Sequence, residues 1–82
     1  MAGSIIVHNK SNQDINVFVS KYSKDGSDDW FVVKAGQSES WSRSWWELVA
    51  FKNSSDSQRA GVYIQTNRMV TFRSFGDIQV HD

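Results

Sequence analysis

Cysteine and proline are both missing from this 82-residue chain, and its nine basic and nine acidic side chains cancel. Without cysteine there is no disulfide scaffold, zinc ribbon or thiol nucleophile. Without a surplus of Lys and Arg, the charge does not suit a nucleic-acid binder or a peptide attracted to anionic membranes. The Lys and Arg residues are dispersed, and no aromatic-basic motif of the RNP type appears. No unbroken apolar run exceeds Trp30-Phe31-Val32-Val33, which is far too short to span a bilayer. Met1-Ala2-Gly3-Ser4 carries neither the basic nor the apolar region of a signal peptide. The expectation is cytoplasmic synthesis, with any release by a non-classical route.

Aromatics, in contrast, are plentiful: five Phe, four Trp and two Tyr. A chain of this length forms one domain, residues 1–82, and buries only ~60–65% of its unfolded surface. Disulfides are unavailable as reinforcement and no metal site is evident, so self-association into a homo-oligomer is expected.

The dominant hydrophobic period is two. Residues 4–9 alternate, with Ile5 and Val7 on one face and Ile6 and His8 on the other. Residues 15–22 continue the pattern, with Ile15, Val17 and Val19 inward and Asn16, Phe18 and Ser20 outward. Residues 30–34 read as a short strand. Residues 38–53 read as a long extended region, bent or broken near Trp45-Trp46. Residues 60–66 and 69–74 read as a hairpin across Asn67-Arg68, since Asn tolerates positive φ. Phe75-Gly76-Asp77 turns once more, and Ile78-Gln79-Val80 closes the chain. Seven to eight short strands and no helical stripe predict an all-β fold, a small antiparallel sandwich or barrel.

The most unusual stretch is residues 38–47. Alternation places Ser38, Ser40, Ser42 and Ser44 on one face and Glu39, Trp41, Arg43, Trp45 and Glu47 on the other. Arg43 between two indoles is arranged for cation–π contact, flanked by carboxylates. Two readings follow. The row is either a brace for a sheet without disulfides, or a platform on which a pyranose stacks its C–H faces while charged groups take its hydroxyls. Beyond it Trp46, Leu48 and Ala50 share one face and Val49 and Phe51 the other, which places Trp46 in the core.

The loop Asp25-Gly26-Ser27-Asp28-Asp29 precedes Trp30. Its carboxylates lack the full spacing of a calcium loop, so a solvated turn is expected, and contact of Asp28 and Asp29 with sugar hydroxyls beside Trp30 ranks above calcium. His8 and His81 lie near opposite ends of the chain, and no serine sits in a nucleophile elbow. Glu39 and Glu47 would need a deep cleft to hydrolyse a glycoside. A non-catalytic protein without cofactor or metal is therefore expected. The sequons Asn9-Lys10-Ser11 and Asn53-Ser54-Ser55 matter only in a secretory compartment.

The opening Ser4-Ile5-Ile6-Val7-His8-Asn9-Lys10-Ser11, followed by Ile15-Asn16-Val17-Phe18-Val19-Ser20-Lys21, is a strand ending in Asn-x-Ser, a polar turn and a second apolar strand. It resembles the first hairpin of aegerolysins and of the small signal-less lectins of fungal fruiting bodies. Gly36-Gln37-Ser38-Glu39-Ser40-Trp41-Ser42-Arg43 is similar to a glycine-initiated strand of such sandwiches. The resemblance covers the first half of the chain and implies a soluble recognition protein for glycans or lipids.

The leading expectation is a lectin-like protein for neutral saccharides, with Trp30, Trp41, Arg43, Trp45, Glu47 and Asp28 as its site and self-association giving multivalency. The alternatives are a cytolysin-like membrane protein inserting Phe18, Tyr22 and Trp30, or a structural homo-oligomer that buries its aromatics at an interface.

Overall fold

The computed structural model describes residues 3–22 and 29–81. Eight strands follow in chain order: β1 (Gly3–Asn9), β2 (Ile15–Val19), β3 (Phe31–Val33), β4 (Ser38–Arg43), β5 (Glu47–Lys52), β6 (Arg59–Ile64), β7 (Met69–Ser74) and β8 (Asp77–His81). They form two four-stranded sheets, ordered β4-β1-β7-β8 and β3-β2-β5-β6. The molecule is an all-β sandwich.

Alternation decides what faces inward. The first sheet contributes Ile5, Val7, Trp41, Val70 and Phe72 to the interior, and the second contributes Ile15, Val17, Val19, Val33, Val49, Phe51 and Ile64. Phe51 and Phe72 meet across the gap with ring centroids 5.1 Å apart. Each such burial is worth ~1.5–3 kcal/mol, which an 82-residue chain needs in number.

The extended region 38–53 is two strands in different sheets, and the chain turns at residues 44–46 to pass from one sheet to the other. Residues 59–64 and 69–74 do not form the hairpin expected of them. β6 pairs with β5, while β7 pairs with β8 and, in parallel, with β1. The turn itself exists, and Asn67 takes φ 68°. It carries the chain between sheets because both of its flanks bond elsewhere. Asn67 N–H donates to the Ser4 carbonyl at 2.7 Å, and Thr66 N–H to the Trp45 carbonyl at 3.1 Å. A strand arriving from the other sheet is free to run parallel to β1, so the first sheet is mixed rather than purely antiparallel.

The two outer faces differ. On the first sheet Ser4, Ile6 and His8 stand opposite Ser42, Ser40 and Ser38, giving a surface rich in hydroxyls. The outer face of the second sheet carries Phe18, Leu48, Ala50 and Tyr63.

Candidate functional site

Period two correctly groups Trp41, Arg43 and Glu47 on one face, but that face is the interior. Trp41 is buried, with Phe31 edge-on to it at 6.1 Å. Arg43 and Glu47 have no exposed surface. Once Trp41 points inward, Arg43 two residues on must follow it, and the guanidinium is then satisfied by the second sheet. Its Nε donates to the Ser20 carbonyl at 2.8 Å and its Nη2 to the Val19 carbonyl at 3.0 Å, while Nη1 donates to the Ser42 carbonyl at 2.7 Å. Glu47 Oε1 accepts from the Ser20 hydroxyl at 2.8 Å and from Tyr22 N–H at 2.7 Å. The Ser20 hydroxyl oxygen also accepts from Leu48 N–H at 2.8 Å. Ser20, expected to face outward, is therefore buried as the node between the two charges.

This arrangement corrects the surface platform. Arg43 on β4 ties the first sheet to the end of β2 in the second. Trp41, Arg43 and Glu47 are a brace and offer nothing to a ligand. Trp45 lies past the end of β4 and is 60% exposed, apart from the row assigned to it. Asp28 and the carboxylate loop at 25–28 lie outside the described residues.

A second brace closes the opposite end. Asn9 is fully buried at the end of β1, and its Nδ2 donates to the carbonyls of Gln13 at 2.8 Å and Val33 at 2.9 Å. Its Oδ1 accepts from Ser11 N–H and from the Ser11 hydroxyl. The Asn-x-Ser sequence thus folds into a turn that locks β1 to β3, and its amide nitrogen is spent inside the protein.

Trp30 does stand at a surface site, at the edge of the second sheet. It is 39% exposed and packs against Phe18 with ring centroids 5.5 Å apart, and the Lys52 ammonium sits 4.3 Å from the centre of its ring. On the same outer face Tyr63, 60% exposed, stacks on Trp46 at 5.1 Å with the planes only 20° apart. Trp46 is therefore half-buried beneath a surface ring and lies outside the core cluster. Between the two aromatic pairs lie Ala50 and Gly61, which are register partners, together with Leu48, the register partner of Tyr63. The register also sets Asn16 and Arg59 on either side of Lys52. Four strands at ~4.8 Å spacing make this face about 14 Å wide from β3 to β6. It is an open face with an aromatic pair toward each side and the amide, ammonium and guanidinium groups of Asn16, Lys52 and Arg59 along one end. Arg59 is held by Asp56 at 2.8 Å.

Tyr63, Trp46 and Lys52 escaped the sequence reading. The signal for Tyr63 was available: if Val62 and Ile64 are split by period two against the buried Val49, the tyrosine falls outward. Trp46 looked like core because it opens an apolar run. Its place under Tyr63 depends on which strand pairs with β5.

His8 and His81, far apart in sequence, are brought near one another. His8 is the register partner of Thr71, and His81 Nε2 lies 3.0 Å from the Thr71 hydroxyl. No cluster of three metal-ligating side chains occurs among the described residues. None of their helices is long and apolar enough to cross a membrane.

Comparison with protein-family models, with curated proteins and with solved structures returns no match to this chain.

Proposed function

We propose that the protein is a lectin-like carbohydrate-binding protein and that its site is the outer face of the second sheet. The observation that carries this reading is the pair of stacked aromatics on one face, Trp30 with Phe18 and Tyr63 with Trp46, separated by Ala50 and Gly61. A pyranose presents apolar C–H faces that pack on flat rings, and its hydroxyls need partners such as Lys52 and Asn16. Aromatic rings already held by a second ring lose little conformational freedom on binding. A face ~14 Å wide suits a short oligosaccharide better than a single sugar. Trp30 is one stacking ring, and the exposed Tyr63, not the buried Trp41, is the second.

A glycan array on the purified protein is the test. Binding is expected for the wild type and is expected to fall about tenfold or more for Trp30→Ala and for Tyr63→Ala, in line with anchor aromatics elsewhere. Glycan binding that survives both changes together refutes the assignment of the face, and an empty array refutes the function.

Membrane recognition is the second reading, favoured by the exposure of Tyr22 and Trp45. Both are anchored around the Arg43–Glu47 brace, Tyr22 through its N–H on Glu47 and Trp45 through its carbonyl on Thr66. Phe18 is half-buried against Trp30 and is a poor candidate for insertion. Flotation with vesicles lacking glycolipid separates this reading from the first, because only a lipid binder rises with them.

A further inference from the structure

The two sheets leave four edge strands, and one of them is complementary to itself. We propose that β8 pairs antiparallel with β8 of a second copy of this chain, joining two sandwiches into a twofold dimer. Centred on Gln79, the pairing sets Asp77 opposite His81 of the partner subunit, and does so twice by symmetry. Ile78 then faces Val80 of the partner subunit, also twice. Each row is favourable. Opposite-charge or hydrogen-bonded pairs and apolar pairs across strands stabilise a sheet, whereas like charges oppose it.

The groups concerned are available. The Asp77 carboxylate has no partner among the described residues. His81 bonds Thr71 through Nε2, which leaves Nδ1 to meet a carboxylate. Ile78 and Val80 are register partners of the buried Phe72 and Val70, so they lie on the core face of the sheet. Val80 is nevertheless 44% exposed, because no strand among the described residues covers it. A second β8 extends the sheet and covers it.

The other edges are less suited. β3 has only three residues. The one cation of β4, Arg43, is buried and committed to backbone carbonyls. β6 offers no acid, and its Arg59 is held by Asp56.

The symmetry has a functional consequence, which rests on the carbohydrate reading, whereas the pairing itself does not. Directly opposed residues of an antiparallel pair share a face, so the twofold axis runs normal to the sheet. Both second sheets then lie on the same side of the joined first sheet. The two Trp30–Tyr63 faces point in one direction, and the dimer grips a glycan-coated surface bivalently.

Light scattering over a dilution series without ligand tests the pairing. The wild type is expected at twice the chain mass at high concentration. Asp77→Lys and His81→Asp each place like charges or a lost bond at both symmetric positions, and each is expected to raise the dissociation constant about tenfold or more. The exchanged double variant, Asp77→His with His81→Asp, restores the complement and is expected to recover the dimer. A wild type that stays monomeric, single variants that dimerise unchanged, or a double variant that does not recover would each overturn the pairing. If a variant fails to fold, amide exchange on the wild type decides. β8 amides are expected to exchange more slowly at dimer-forming concentration, and equal exchange at both concentrations overturns the proposal.

Monovalent soluble sugar should bind wild type and His81→Asp alike, whereas retention on a dense glycan surface should fall about a hundredfold for His81→Asp. Equal retention removes the bivalent arrangement. A wild type that dimerises but binds no sugar refutes the carbohydrate reading alone. One that binds sugar as a monomer refutes the pairing alone.

Discussion

Replacing Arg43 by Met should be among the most damaging single changes in the molecule, although the new side chain is apolar and of similar length. Arg43 donates to three carbonyls, two of them on the residues that end β2 in the other sheet. Hydrogen bonds from a charged donor contribute ~1.5–3 kcal/mol each, and they do not add. The change also strips a buried cation from a network that holds Glu47 through Ser20. Breaking a buried ionic arrangement by removing one partner costs ~3–5 kcal/mol. An 82-residue domain has about 4–12 kcal/mol in total. Arg43→Met is thus expected to lose about a quarter of the stability or more. At ~4–8 °C per kcal/mol for a domain of this size, the melting temperature should fall by about 12–40 °C. Urea unfolding followed by tryptophan fluorescence is the assay, with an unchanged m-value confirming that the loss is one of stability. The double variant Arg43→Met with Glu47→Gln removes both charges and keeps an acceptor for the Ser20 hydroxyl and Tyr22 N–H. It should return to within ~2 kcal/mol of wild type. An Arg43→Met protein within ~0.5 kcal/mol of wild type would refute the brace. Normal stability combined with lost glycan binding would put the guanidinium back at a ligand.

Asn9→Ala removes the two amide bonds that tie β1 to Gln13 and Val33, and is expected to cost ~2–4 kcal/mol in the same urea assay. Gly36 has φ +79° with nothing within 4 Å of an added Cβ, so Gly36→Ala should destabilise by ~1 kcal/mol for backbone reasons alone. Asp56 is held below its usual carboxylate range chiefly by its hydrogen bond from Arg59, whose own pKa is raised. The contribution of a carboxylate with a depressed folded pKa is present at neutral pH and lost as the pH falls through that lowered value. Both groups are exposed, so this contribution is small: Asp56→Asn should lower stability slightly at neutral pH, match the wild type at acid pH, and so flatten the acid limb by that same small amount.

The alternating strands were legible because inward Ile and Val positions in β1 and β2 stand on one parity with polar neighbours on the other. The bend near Trp45-Trp46 was legible too, since the serine face and the apolar face cannot belong to one straight strand. The direction of the Glu39–Glu47 face was not. A row containing Arg, Glu and Trp looks like surface by composition, and only the two carbonyls ending β2 make the interior acceptable for a guanidinium. The partners of β6 and β7 were equally hidden. Asn67 announces a turn, but whether its flanks pair with each other depends on Ser4 and Trp45, distant in sequence, taking its hydrogen bonds. The aromatic face follows from that same pairing, because Tyr63 meets Trp46 only once β6 lies beside β5.

The position of β1 has a consequence for how the molecule comes into being. The first strand of the chain lies inside its sheet, with Ile5 beside Trp41 on one flank and Ile6 beside Met69 on the other. One of its two neighbours, β7, is therefore synthesised long after it, and among the described residues β1 pairs with no strand adjacent to it in sequence. Closing such long loops before contacts reward them places folding in the slow range of two-state domains, milliseconds to seconds. The sandwich then assembles only once β7 is available, and the arrival of β7 is the event that commits β1 to its place.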